Sequence, residues 1–335
     1  MTNDESTRLP IPIVVEEDSI VAGDYLSIEE RSQELARLFG FNQEILAGYL
    51  DPSSRRQYCR DFYAYLEYAG SKPEALRPST MERWVLWLVE HPQHYSPKTI
   101  NRMLSAVKKI IKKAAALSYL DRATAERFQE VEAVRELALK DRLREQIVIT
   151  PEQMGAITAQ PDTERLIGLR DLALLLTLAS SGLRVSSFCQ LTVQQIVVGK
   201  SGYQLLVRGK NDLKASPVPL SASAYEAIQT WLRERPVASA YIFTHFEGGE
   251  GDGPHARLSA SPLSDRSVRR IVQKYAAEVG LACAKPHDFR RYLGTQLAAI
   301  DVHQAMLALH HKNASTTLNH YVLSKLKEGI SDHLV

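Results

Sequence analysis

The chain is poor in cysteine: Cys59, Cys189 and Cys283 are its three, odd in number, far apart and in no C-x-x-C spacing. That excludes a disulfide framework and a cysteine-based zinc site, and it suits a reducing cytosol. Long apolar runs are also lacking, with nothing near the roughly 18 uninterrupted apolar residues of a membrane helix. The first residues, MTNDESTRLPIPIVVEEDSIV, carry acids where a secretory signal carries bases. A cytoplasmic protein without a membrane anchor is therefore expected. Internal repeats and low-complexity tracts are missing too. What is present is an ordinary globular composition, 44% apolar and 24% charged, in 335 residues. That length exceeds one ordinary core, so two domains are expected.

Net charge is also small, only +2, but it is unevenly spread. Residues 1–44 hold ten acids against Arg8, Arg31 and Arg37, a balance of −7 that leaves +9 on the rest. A basic body behind an acidic leader fits a nucleic-acid binder, and equally a solvated surface with an acidic tail. The leader is expected to be partly helical or mobile, with a short helical stretch from Ser27.

From 45 to 145 the pattern is helical. A helix opens at Asp51-Pro52 and stops at Gly70, a second opens at Pro78-Ser79 and ends before Pro92, and Ser96-Pro97 caps a third. The third places Ile100, Met103, Leu104, Val107, Ile110 and Ile111 on one face. Lys98, Arg102, Lys108, Lys109, Lys112 and Lys113 fall on the other, with no acid between Lys98 and Lys113. Six bases on one helix can follow a phosphate backbone, each neutralised phosphate releasing counterions. A solvated helix face is the plainer alternative. The charged stretch 136–146 reads as a helix end plus an interdomain linker.

The unit from 146 to 335 mixes helices with a little β structure. Thr150-Pro151 starts it, residues 204–220 read as two strands around a Gly-Lys-Asn-Asp turn, and residues 247–262 read as a loop from their Gly, Pro and Ser content. Helix resumes at Asp265. In this unit SSGLRVSS puts Arg184 just after Gly182, behind an apolar helical run. A cation in such a setting needs an anionic partner. Lys210 follows Gly209 at the tip of the hairpin, with Lys214 as its rival. His287 and Arg290 lie three apart on one helix face, and His311 and Tyr321 follow, ten apart. Two arginines, a lysine, two histidines and a tyrosine make a phosphate-binding set with proton donors and a nucleophile. His303, His310, His311 and His320 share no helical face and have no nearby acids, so no metal site is expected.

Four stretches resemble the boxes of the tyrosine recombinase, or phage integrase, family, which includes Xer- and Cre-like site-specific recombinases. SSGLRVSSFCQL resembles its first arginine box, VRGKNDLKASPVPL its lysine hairpin and HDFRRYLGTQLA its H-x-x-R box. LHHKNASTTLNHYV resembles the closing box, in the variant with ten steps from histidine to tyrosine. The likeness runs over about residues 150–325 in the family's order. SPKTINRMLSA is similar, more loosely, to part of the family's helical core-binding domain.

The resemblance implies a mostly α fold with a small β-sheet, arranged as a two-domain C-shaped clamp. Residues 45–145 would be the core-binding, SAM-like DNA-binding domain and 146–335 the catalytic domain, with an exchange helix over about 322–335. It implies that Tyr321 attacks the scissile phosphate, that Arg184 and Arg290 hold its oxygens, and that Lys210 protonates the leaving 5′-oxygen. His287 would help move the tyrosine proton and His311 would hydrogen-bond phosphate. No metal or organic cofactor is implied. The partners implied are double-stranded DNA carrying a short inverted-repeat core site and three further copies of the chain in a tetramer. The sequence departs from the pattern at Ser187, where the family has an acid, at Arg291, where a histidine is frequent, and at His310, where glycine is common. The expected activity is site-specific DNA strand breakage and rejoining. A type IB topoisomerase-like nicking and closing enzyme and a non-catalytic DNA-binding regulator of the same fold are the alternatives. A helix-turn-helix factor would leave the His287, Arg290 and Tyr321 arrangement idle.

Overall fold

The computed structural model describes residues 52–142, 146–200, 202–208, 214–247 and 257–310, and these fall into two compact units divided between Glu145 and Gln146. The helical stretch expected from Ser27 lies outside the described residues. So do Lys210, His311, Tyr321 and the segment after it.

The first unit is helical: α1 (Pro52–Ala69), α2 (Lys72–Ala75), α3 (Pro78–Glu90), α4 (Pro97–Ala116) and α5 (Arg122–Glu130). Its boundaries follow capping chemistry. Gly70 turns the chain after α1 at φ +68°, a conformation that costs a residue with a Cβ about 1 kcal/mol or more. The Ser96 hydroxyl accepts the Thr99 amide at 3.3 Å ahead of Pro97, and Asp121 accepts the Thr124 amide at 2.8 Å to start α5. All six apolar residues expected on the inner face of α4 are buried, packed with Phe62, Tyr65, Trp84 and Phe128. Burial of each such side chain contributes roughly 1.5–3 kcal/mol before chain entropy is counted. Asn101 reaches out of α4 to grip the main chain of Val134 twice, donating to its oxygen and accepting from its nitrogen, both at 2.8 Å.

The stretch expected to be a linker is partly folded into this unit. Glu136–Arg142 forms short helical turns, kinked at Leu139, whose side chain is buried in the first core. Arg142 Nη1 donates to the Val89 carbonyl at 2.7 Å, one of the oxygens that the end of α3 leaves without an intrahelical donor. One apolar side chain and one guanidinium within a charged stretch are enough to dock it.

The second unit is built on α7 (Leu166–Ser181), preceded by α6 (Pro151–Thr158), which a Thr150–Gln153 capping box starts. After α8 (Val185–Cys189) come β1 (Ile196–Gly199), β2 (Gly202–Arg208) and β3 (Ala215–Leu220), an antiparallel sheet in that order, with Leu205 facing Ile196 on one side and Val218 on the other. Leu205, Val207, Val218 and Leu220 point into the core beneath α7 and α9 (Ala222–Glu234). The sheet has one strand more than the sequence suggests, because β1 is four residues long and half exposed. Strand flanks the two ends of the stretch expected to be a loop: β4 (Thr244–Glu247) pairs with β5 (Arg257–Pro262), and Phe246 faces Leu258. The pairing partner, not the weak pattern of RLSASP, makes that strand. Helices α10 (Asp265–Ala277), α11 (Pro286–Ile300) and α12 (Val302–Ala308) complete the unit.

Gly168 is held where no side chain fits: a Cβ there would lie 1.7 Å from the Asp162 carbonyl oxygen. A Cβ at Gly155, in α6, meets nothing within 4 Å. Gly168→Ala is therefore expected to lower stability by about 2–3 kcal/mol through overpacking. Gly155→Ala is expected to raise it by up to about 1 kcal/mol through helix propensity. Urea unfolding followed by far-ultraviolet circular dichroism compares the two, and equal effects would contradict the close approach at Gly168.

Candidate active site

Arg184 is positioned by a helix stop. The apolar helix α7 ends at Gly182, whose φ of +57° lets its amide close on the Leu178 carbonyl at 3.1 Å. Leu183 is buried and pulls the turn inward, while Ser181 donates to the Thr177 carbonyl at 2.6 Å and accepts the Leu183 amide at 3.4 Å. Arg184 then opens α8 as its N-cap residue, its carbonyl accepting the Phe188 amide at 2.9 Å and its side chain exposed. The short helix is anchored by Phe188, which stacks on Phe243 with centroids 4.7 Å apart. An exposed guanidinium thus rests on a turn fixed from below by buried groups.

Arg290 is placed differently. It is 4% exposed, and its guanidinium donates to the carbonyls of Gly182 at 2.6 Å and of Leu309 at 2.5 Å. Both oxygens cap helix ends, those of α7 and α12, so the cation sits where two helix dipoles are negative. Gly182 allows the approach a second time: a Cβ there would come within 2.9 Å of Leu293 and Leu309.

Helix α11 starts at Pro286, with the Asp288 carboxylate accepting the Lys285 amide at 2.9 Å. His287 is exposed on its first turn, three residues before Arg290. Arg291, which stands where a histidine is frequent, faces Asp288 at 3.4 Å. His310 adopts φ +51° just after the buried Leu309, which gives a backbone reason for the glycine common at that position.

Arg184 and Arg290 meet with Ser181, Ser187 and His310 around one small cavity of about 20 Å³. This is the part of the expected set that the structure brings together. Lys210, His311 and Tyr321 belong to stretches outside the described residues, and Lys214, the rival to Lys210, is exposed before β3. Ser181, Ser187 and His310 were not singled out for the site by sequence. Ser187 and His310 were visible only as departures from a pattern.

A larger cavity of about 270 Å³ lies between α7, β4 and α10. Its buried Arg170 forks onto Asp171 at 2.7 and 2.9 Å, and Asp171 also accepts the Tyr275 hydroxyl at 2.9 Å. That network satisfies its own charges. Burial, with Asp265 adding to it, pushes the Cys189 thiol up to about 12. Such a thiol is not a thiolate nucleophile at neutral pH. Among the described residues no group of His, Cys, Asp and Glu is arranged to hold a metal ion, and no helix is long and apolar enough to cross a membrane.

In the first unit the basic face of α4 is less open than its sequence suggests. Arg102 pairs with Asp61, and Lys98 faces Glu136 at 3.9 Å. Lys108 donates to the Gln129 and Val131 carbonyls at 2.9 and 2.5 Å, and burial lowers its pKa. Lys109 donates to the Tyr58 hydroxyl at 2.7 Å. Lys112 and Lys113 have no ion-pair partner among the described residues, and Lys112 is exposed. No acid lies nearby in sequence, but Asp61 and Glu136 arrive from other segments.

Comparison with known proteins finds relatives of both units. The model of the phage integrase family matches residues 148–328, and that of the phage integrase N-terminal SAM-like domain matches residues 45–116. A tyrosine recombinase, XerC, of Chlamydia trachomatis is 30% identical over 254 residues, 74% of each chain. A tyrosine recombinase of Synechococcus elongatus is 28% identical over 275 residues, 77% of this chain and 79% of its own. Among solved structures, the Tn1549 transposon integrase in complex with circular intermediate DNA aligns with TM-score 0.61 at 16% identity, covering 89% of this chain and 98% of that one. A lambda integrase dimer bound to a COC′ core site aligns with TM-score 0.61 at 14% identity, covering 85% and 94%. At these identities the two structures speak for the fold alone.

Gly182→Ala tests the placement of both arginines. The left-handed backbone and the two leucine contacts together are expected to cost about 2–4 kcal/mol. Thermal unfolding of the variant measures this, and an unchanged Tm would contradict the packing of α11 and α12 against the α7 stop.

Proposed function

Because the chain belongs to the phage integrase family of tyrosine recombinases, we propose that it cleaves and rejoins DNA at specific sites through a covalent 3′-phosphotyrosyl intermediate at Tyr321. The observation that carries this reading is the convergence of Arg184 and Arg290 at the stop of α7, one exposed and one buried. Guanidinium forks suit phosphate oxygens, and donors held in place beforehand stabilise the charge that builds in a pentavalent transition state. The Tyr321 oxygen forms a bond to phosphorus as the bond to the 5′-oxygen breaks. The tyrosine proton leaves towards His287, and Lys210 supplies the proton taken up by the 5′-oxygen. His311 donates a hydrogen bond to the phosphate. The phosphodiester energy stays in the phosphotyrosyl bond, so the reverse attack by a 5′-hydroxyl rejoins the strand without a nucleotide cofactor.

In this reading residues 45–145 and 146–335 are the DNA-binding and catalytic domains. The enzyme works as a homotetramer on two DNA sites with short inverted repeats, in integration, excision or resolution. The amphipathic stretch after Tyr321, with Val322, Leu323, Leu326, Ile330 and Leu334, docks on a neighbouring copy. Membership of a family of tyrosine recombinases supports a DNA partner here.

Covalent trapping tests the chemistry. Wild-type protein and Tyr321→Phe are incubated with nicked duplexes drawn from DNA flanking the gene and run under denaturing conditions. Wild type is expected to give an adduct at a 3′-phosphate and the variant none, while Arg184→Ala slows the adduct by about 100-fold or more, as loss of a transition-state donor does. No adduct on DNA that is specifically bound would leave a non-catalytic regulator. Relaxation of supercoils at any sequence by a monomer would indicate a topoisomerase.

The first unit makes a separate prediction. Replacing Lys112 and Lys113 by Ala is expected to reduce the slope of log affinity against log salt by about 1–2, from roughly 0.9 per lost phosphate contact. Replacing Lys108, already committed to two carbonyls, should leave the slope unchanged and lower Tm instead. Fluorescence anisotropy across a salt series separates the two.

A further inference from the structure

The cavity of about 270 Å³ between α7, β4 and α10 takes no part in the reaction proposed above. Arg170 lies on its wall, twelve residues before Gly182 on α7, which is about 18 Å along the helix axis. The cavity is therefore well separated from the Arg184 turn. Its volume is at the small end for ligand sites, which begin at roughly 300 Å³. Part of the wall is apolar, with Phe246, Leu263 and Ile271, and part is cationic, with Arg170, Arg270 and Lys274.

The charges on that wall do not balance. Among the described residues that line the cavity, Asp171 is the one carboxylate, and both its oxygens are engaged. Oδ1 accepts from Arg170, and Oδ2 accepts from the Tyr275 hydroxyl. Three cations against one carboxylate leave a balance of +2. Arg170 is 4% exposed and stacked over the Phe246 ring, 4.9 Å from its centroid. Its Nη1 reaches the Thr244 carbonyl at 3.4 Å, longer than the roughly 2.7–3.2 Å of an ordinary N–H···O bond. A buried guanidinium thus has a weakly used donor at the cavity wall. Arg270 and Lys274 stand one turn apart on α10, on the same face as Ser267 and Ile271, which also line the space. Like charges at that spacing destabilise a helix, and an anion lying between them removes the repulsion.

We propose that this cavity binds a small organic dianion, a phosphate monoester whose short apolar body lies against Phe246, Leu263 and Ile271. Arg170 holds the phosphate from the buried side as a planar donor, and Arg270 and Lys274 hold it from the exposed side. A phosphate gathers its oxygens around one atom, so three cations on one small wall can share it. Its two charges match the +2 of the wall. The phosphodiesters of duplex DNA carry one charge each and leave half of that balance unmatched.

Calorimetric titration of phenyl phosphate into the full chain tests this, with Lys274→Gln and Arg184→Ala alongside wild type. Lys274 is exposed on α10 and glutamine is a good helix former, so the first variant should fold normally. Wild type is expected to bind with a Kd below about 1 mM. Lys274→Gln should bind about five- to tenfold more weakly, the size of one charge-assisted hydrogen bond at a partly exposed site. Arg184→Ala should retain the site that Lys274→Gln weakens, and phenol, which lacks the phosphate, should not bind. No binding by wild type at millimolar phenyl phosphate would overturn the proposal, as would equal binding by Lys274→Gln or binding of phenol as tight as that of phenyl phosphate. Loss confined to Arg184→Ala would place the anion at the catalytic turn and overturn it too. Duplex DNA affinity over a salt series is the last arm. An unchanged slope in Lys274→Gln is expected, and a slope lowered by about 1 would make this wall part of a DNA surface instead.

Discussion

One buried guanidinium holds the second unit's site together. Arg290 donates hydrogen bonds to the carbonyls of Gly182 and Leu309, which stand 108 and 19 residues away along the chain. Each belongs to the end of a helix, where carbonyls lack intrahelical donors and the dipole is negative. An unpaired buried cation would cost several kcal/mol. Seated between two helix ends, the same cation satisfies groups that would otherwise be costly to bury. The constraint runs outward from there: α7 must stop where it does, the stop must be glycine, and α12 must end on Leu309 with the next residue at positive φ.

In the proposed reaction this arrangement would divide the labour of the two arginines. Arg290 is pre-organised, with little freedom left to lose when an anion arrives. Arg184 is exposed on a turn whose position is set by Leu183 and Phe188 rather than by its own side chain. A charged ligand approaching from solvent meets a cation that can adapt first and one that cannot adapt behind it. Electrostatic stabilisation of a transition state depends on the second kind of group, because dipoles and charges already in place need no reorganisation as the reaction proceeds.

Much of this was legible in sequence where one residue type answers one physical need. The helices of the first unit could be read because Ser96-Pro97 and the spacing from Ile100 to Ile111 leave few alternatives. The Arg184 turn could be read because Gly182 interrupts an apolar helix. What escaped depends on partners distant in sequence. Strand β5 is a strand because β4 lies beside it, and the charge of Arg102 is spent on Asp61, 41 residues earlier. The sequence places Arg290 near His287 on a helix, but nothing local reveals that its nitrogens are committed to two carbonyls.

The same distinction governs how a chain of net charge +2 can work on DNA. Counting bases along α4 overstates its positive face, since Arg102 and Lys98 meet carboxylates and Lys108 meets carbonyls. These contacts are not wasted charge. Lys108 ties α4 to the segment after α5, and Arg102 covers a carboxylate that is 3% exposed, so both shape the helix surface that Lys112 and Lys113 then present. Affinity for a phosphate backbone scales with the bases whose counterions are released on binding, not with the bases present. A few uncommitted lysines on a stiff helix and one exposed arginine on a fixed turn can therefore do more than a larger net charge spread over flexible chain.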